Sequence, residues 1–152
     1  MFGGTFGAFR SRGYHFFDES NAVLVEVSKI CQLRNQYLTL RRGRQYLREI
    51  SANGKNFGLP EIWGGRMKSI VAWSRVFAGQ EIICAINTDI EQPTEVFVTV
   101  DTDLHADGDI LKCIYQSPVP RNEPGPSNVT VVNANGKSVQ ITVPPSGFAM
   151  YL

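Results

Sequence analysis

The sequence predicts a mainly β protein, an antiparallel Greek-key β-sandwich of about seven or eight strands, preceded by one amphipathic α-helix and an aromatic, glycine-rich loop. Three observations carry that prediction. Beyond residue 44, short runs of β-branched and aromatic residues recur at roughly ten-residue spacing with turn signals between them. One stretch, Ser69–Thr88 (SIVAWSRVFAGQEIICAINT), holds two such runs joined by a short glycine-containing connection. Only one segment, Ala22–Leu38, has a long helical period.

The Ser69–Thr88 stretch reads as the middle of a sheet. Ile70, Ala72, Ser74 and Val76 fall on one face of the first run, with Val71, Trp73, Arg75 and Phe77 on the other. In the second run Ile82, Cys84 and Ile86 alternate with Ile83, Ala85 and Asn87. Apolar residues on both faces imply a sheet covered on at least one side and half-covered on the other, and Trp73 and Ile83 are expected in the core. Ala78-Gly79-Gln80 is expected to be the hairpin loop.

The remaining elements follow in order. Residues 1–19 interleave Gly3, Gly4, Gly7 and Gly13 with Phe2, Phe6, Phe9, Tyr14, Phe16 and Phe17, and keep no period. Such a composition suits a loop lying over other protein or a ligand. Ser20 or Asn21 is the expected helix N-cap. Val23, Val27, Ile30, Leu33 and Tyr37 form a stripe, widened by Leu24, Cys31 and Leu38. That is roughly four to five turns of helix shaped to dock on a large surface. Gly43 marks its exit. Strands are then expected at Arg44–Ile50, at 56–59, through the hairpin, and at Thr94–Asp101, Ile110–Gln116, Asn128–Val132, Ser138–Val143 and Phe148–Leu152. Asn53-Gly54 and Asn135-Gly136 are turn signals. Asp103–Asp109 is an acidic turn, and four prolines make residues 117–126 a loop.

Bulk properties narrow the function classes. A chain of 152 residues with 43% hydrophobic residues suffices for one domain, or one domain plus a piece of another. A net charge of +1 gives no broad electrostatic reason to expect nucleic acid. The local cluster Arg41, Arg42, Arg44 and Arg48 reads as a solvated face with local ion pairs. No apolar run approaches about 18 residues, so no membrane span is expected. Met1-Phe2-Gly3-Gly4 lacks the basic start and apolar stretch of a signal peptide, which points to the cytoplasm. Cys31, Cys84 and Cys113 each sit in an apolar run without ligand spacing, as buried free thiols would.

With these elements placed, the chain resembles the C-terminal part of α-amylase-type glycoside hydrolases, enzymes with a (β/α)₈ barrel followed by an all-β domain. The residues that carry the resemblance are MFGGTFGAFRSRGYHFFDES, CQLRNQYLTLRRGRQYLREIS, IVAWSR, EIICAINT and the Thr99–Asp101 TVD, in that order. The resemblance implies that residues 1–38 are a remnant of the catalytic barrel, comprising the loop after its eighth strand and its eighth helix. Residues 39–152 would be the C-terminal all-β domain. The catalytic carboxylates of that family lie upstream of the matching region, so no catalytic residue is carried over, and no cofactor or metal is expected. Arg10, Arg12, Tyr14 and His15 become candidates for lining the cleft of the intact enzyme, because the β→α loops of such barrels line the active-site face. Packing within the loop is their simpler role.

The residues agree with this reading on their own terms. Glycoside hydrolysis needs two carboxyl groups set across the scissile bond. The acids here fall mostly at strand ends and turns, and none is expected in an apolar pocket with a partner. Asp101, Asp103, Asp107 and Asp109 bracket one turn but lack the glycine and closing glutamate of an EF-hand loop, which leaves a plain acidic turn. His15 and His105 are too few for a metal cluster, and His105 is expected as a turn residue.

Two functions follow as expectations. The first is a C-terminal β-domain of an α-amylase-like hydrolase acting on α-glucans, one that flanks and stabilises the barrel and is inactive alone. Its partners would be that barrel and, through it, an α-glucan or oligosaccharide. The second is a carbohydrate-binding module, with Trp63 the candidate for stacking on a sugar ring. A freestanding interaction sandwich is disfavoured by the N-terminal helix and loop. Separated from a barrel, the Val23/Val27/Ile30 stripe and the phenylalanines of residues 2–17 would favour self-association.

Overall fold

The computed structural model describes residues 20–60, 69–119 and 127–152. Two compact units divide the chain, Met1–Tyr37 and Leu38–Leu152. In the first, α1 spans Ala22–Gln36. Asn21 caps it, its side-chain oxygen accepting from Val23 N at 3.0 Å and Leu24 N at 3.4 Å. The helix stops two residues earlier than the sequence predicts, because Tyr37 turns to an extended conformation (φ −101°, ψ 111°). None of its residues is buried. Cys31 is therefore exposed, against expectation, whereas Cys84 is buried and Cys113 half-buried.

The second unit opens with a short helix, α2 (Leu38–Arg42), which packs on the strands that follow it. Ten strands come next: β1 (Arg44–Arg48), β2 (Ile50–Ser51), β3 (Ile70–Phe77), β4 (Gln80–Asn87), β5 (Thr94–Thr99), β6 (Ile110–Leu111), β7 (Cys113–Ser117), β8 (Val129–Asn133), β9 (Lys137–Val143) and β10 (Phe148–Tyr151). They form two antiparallel sheets of five, in the orders β1-β3-β4-β10-β7 and β2-β5-β9-β8-β6. The antiparallel sandwich expected from the sequence is present.

Two expected strands are each divided between the sheets. Arg44–Ile50 splits at Glu49, so β1 joins the first sheet and β2 the second. Ile110–Gln116 splits at Lys112, which exchanges backbone bonds with Leu152 (Lys112 N to Leu152 O, 2.6 Å; the return bond, 2.9 Å). The expected strand at 56–59 is reduced to one bridge, Ile50 with Gly58.

The β3–β4 hairpin holds the second and third places of the first sheet, as its two-faced apolar pattern predicts. Its loop is tighter than expected. Gln80 pairs with Phe77, leaving Ala78 (φ 50°) and Gly79 (φ 78°) as a two-residue turn with both φ positive. Along β4 every residue from Glu81 to Ala85 is buried. Between the sheets, Ile70, Ala72, Ile83, Ala85, Ala149 and Tyr151 meet Val96, Val98, Leu111, Val131, Val139, Ile141 and Val143. The alternation in β5 places Val96, Val98 and the following Val100 inward, as read from the sequence.

Trp73 departs from expectation. It lies on the outer face of the first sheet, half-buried, its ring stacked on Phe148 at 6.0 Å and 11°. Tyr115 continues that row, 5.7 Å from Phe148. Ile83, the other predicted core residue, is fully buried.

Candidate functional site

The candidates named from the sequence, Arg10, Arg12, Tyr14, His15 and Trp63, lie outside the described residues. Within the described residues, charged and polar side chains converge on the inner face of the first sheet beside the β3–β4 turn. Strand register puts Ser74 and Glu81 on the face that carries Ile70, Ala72 and Ile83. Arg48 reaches the same point from β1, and the turn after β5 brings Asp101 and His105.

The Glu81 carboxylate is wholly enclosed and fully bonded. Its Oε1 accepts from Arg48 Nη2 at 2.6 Å and from the Ser74 hydroxyl. Its Oε2 accepts from the Asp101 backbone N–H at 2.9 Å and lies 2.9 Å from His105 Nε2. Because Oε2 is an acceptor already taking one N–H, the His105 contact is made through a protonated Nε2. Arg48 Nε donates to Ser74 Oγ at 2.5 Å, and Asp101 Oδ2 lies 3.7 Å from Arg48 Nη2. Lys137 closes the turn from the second sheet, donating to the Thr102 carbonyl at 2.6 Å and to that of His105.

Two expectations change here. Of the arginine cluster, Arg41, Arg42 and Arg44 are exposed as read, but Arg48 turns inward to a buried acid. His105 does sit in a turn, yet its ring is a bonding partner of Glu81 rather than a solvated group.

Burial alone would raise the Glu81 pKa. The hydrogen bonds from His105, Ser74 and the Asp101 backbone, with the Arg48 charge, outweigh it and bring the value down from 4.5 to about 2. That sign fixes a pH dependence. A carboxyl whose folded pKa is depressed stabilises the fold fully above its unfolded value, and the contribution is lost as pH falls through the folded value. The wild-type chain should therefore lose about 3 kcal/mol of stability between pH 5 and pH 2 on account of Glu81. Urea midpoints across that range test it, with Glu81→Gln expected to show a flatter profile. Parallel profiles for the two proteins would remove Glu81 as the cause.

The arrangement cannot perform acid–base chemistry on a substrate. Each Glu81 oxygen is occupied twice, so no lone pair faces a ligand. A general acid for glycoside cleavage needs a raised pKa, whereas Glu81 is held ionised. Ser74 donates to a carboxylate and accepts from Arg48, which leaves it no base to activate it as a nucleophile. Among the described residues no group of three or more His, Cys, Asp or Glu is placed to hold a metal ion. In the acidic turn, Asp101 and Asp109 accept from the backbone N–H of Asp103 (3.0 Å) and Ala106 (2.7 Å), as turn-forming residues do. The cluster is a latch that ties the β5–β6 turn to the first sheet.

The outer face of the first sheet is the other distinctive surface. Leu47, Val71, Trp73, Arg75, Ile86 and Phe148 share it by register. Leu47 is 63% exposed, and beside it Leu59 is 56% exposed. Leu47, Arg48, Leu59, Pro60, Val71 and Ala72 line a cavity of about 230 Å³ beside them. Trp73 offers little to a sugar, since Phe148 covers one side of its ring. Among the described residues, no helix is long and apolar enough to cross a membrane.

Comparison with known proteins adds a fold. A debranching enzyme from Nostoc punctiforme matches with a TM-score of 0.56 over 93% of this chain and 23% of its own, at 16% identity. An α-amylase from H. orenii matches with a TM-score of 0.50 over 88% of this chain and 21% of its own, at 18% identity. A trehalulose synthase matches with a TM-score of 0.50 over 85% of this chain and 17% of its own, at 13% identity. No family model and no curated protein sequence matches the chain. The chain thus spans about a fifth of the length of the solved structures it matches. In fold, the chain is similar to one part of α-amylase-type enzymes, the group that its sequence resembles.

Proposed function

We propose that the chain is the C-terminal β-domain of an α-amylase-like enzyme acting on α-glucans, that it flanks and stabilises the catalytic barrel, and that it has no turnover of its own. The observation that carries this reading is the fold match, which takes in nearly all of this chain and only a fifth or so of each enzyme. Two features support it. The enclosed carboxylate is saturated and ionised, so it anchors a turn and does not act on substrate. At the outer face of the first sheet Leu47 is exposed, with Leu59 exposed beside it, as at a surface made for a neighbouring domain.

The purified chain, incubated with soluble starch or a nitrophenyl maltoside, should release reducing ends or nitrophenol at the background rate. Turnover above background that persists through repurification would overturn the proposal. Electrophoresis through a starch-containing gel separates the second reading. Unretarded migration fits a flanking domain, and retardation abolished by Trp63→Ala would assign sugar binding to the domain itself.

A further inference from the structure

On the outer face of the first sheet Arg75 stands as a cation among apolar neighbours. It lies opposite Ile82 on β4 and Gln45 on β1, two residues along β3 from Trp73. Its charge is felt by the buried Cys84 thiol, whose pKa burial nevertheless pushes up to about 12. Its Nε is enclosed without an acceptor, and Nη1 makes only a long contact, 3.4 Å, with Gln45 Oε1. Among the described residues no carboxylate pairs with it. A guanidinium presents five donors that suit a carboxylate, and enclosing one of them unmet costs stability. Four residues earlier on the same strand, and so about 13 Å away, Val71 lines the apolar cavity with Leu47 and Leu59.

We infer that this face is the docking surface for the preceding domain of a longer chain, and that the docked element offers an acidic side chain to Arg75 and an apolar side chain to the Leu47/Leu59/Val71 cavity. The inference rests on the reading given under Proposed function and adds the chemistry of the contact. Charge selects the occupant. By register the strands present no carboxylate on this face, so a second copy docked face to face would offer Arg75 no acidic partner. A partner bearing a carboxylate completes the hydrogen bonds that the described residues leave open.

The test is a change of sign. In the 152-residue chain, Arg75→Met keeps the stem and removes the unmet donors, and it should raise the folding equilibrium constant by about tenfold. Gln45→Glu supplies a carboxylate from the neighbouring strand and should also raise it. In the chain extended through its upstream coding sequence, Arg75→Met should instead lower the denaturation midpoint, and Arg75→Lys should restore it only in part, because the bidentate fork is lost. If the wild type is the most stable of the three short chains, Arg75 serves the domain's own packing and the inference fails. It fails equally if Arg75→Met has the same sign in both chains. An upstream sequence with no catalytic domain would overturn the underlying reading itself, a result distinct from either.

Discussion

Replacing Glu81 with alanine is expected to cost about 3–5 kcal/mol, enough to unfold a domain of ordinary stability. The size follows from what stays behind. Arg48, Ser74, the Asp101 backbone N–H and His105 all point at the carboxylate, and each would be left enclosed without its acceptor. Removing one member of a buried ion pair costs far more than the pair contributes against an apolar substitute. The double substitution Glu81→Leu with Arg48→Met should therefore recover only the share of the loss due to the orphaned Arg48 charge, because Ser74, the Asp101 N–H and His105 still lack their acceptor. Urea denaturation at pH 7, followed by far-UV circular dichroism, gives both numbers. A loss below about 1 kcal/mol for Glu81→Ala would mean that the cluster is a solvated ion pair and not a latch.

The second large effect belongs to Ile83. It lies at the middle of β4, fully buried, facing the valines of the second sheet. Truncation to alanine should cost about 2–5 kcal/mol, and Ile83→Val about 1 kcal/mol, because the sheets cannot close over the space left. Leu47→Ala is the natural control. With 63% of its surface exposed, Leu47 should change stability by less than about 0.5 kcal/mol in this chain. Equal losses at the two positions would mean that Leu47 is covered in solution.

Much of the fold was legible because its signals are local. Alternation in Val96, Val98 and Val100 marks an inner face by itself, and Asn135-Gly136 marks a turn by itself. What escaped depends on partners distant in sequence. Nothing in Arg44–Ile50 shows that its two ends pair with different sheets, because β1 finds β3 and β2 finds β5. Trp73 looked like core because period alone identifies a face and not what covers it. The latch was hidden for a similar reason. A partial signal existed, since Ser74 shares its face with Ile70 and Ala72, and Glu81 shares its face with Ile83 and Ala85. Two polar residues on the inner faces of paired strands imply a third group to satisfy them. Arg48 and His105 supply that need from 33 and 24 residues away in the chain, respectively.

The position of β10 bears on how the domain is made. Phe148–Tyr151 lies between β4 and β7, bonded to both. A chain emerging from its N-terminal end can therefore form the β3–β4 hairpin early, but β7 has no neighbour in its sheet until the last strand arrives. Closure of the first sheet waits on contacts between residues more than sixty apart, Ile83 with Tyr151 among them, and such non-local pairing is slow. Until then the edge of β4 is an open template for other strands. Loss of the final five residues would accordingly do more than shorten a tail, because it would leave a half-built sheet with its central edge exposed.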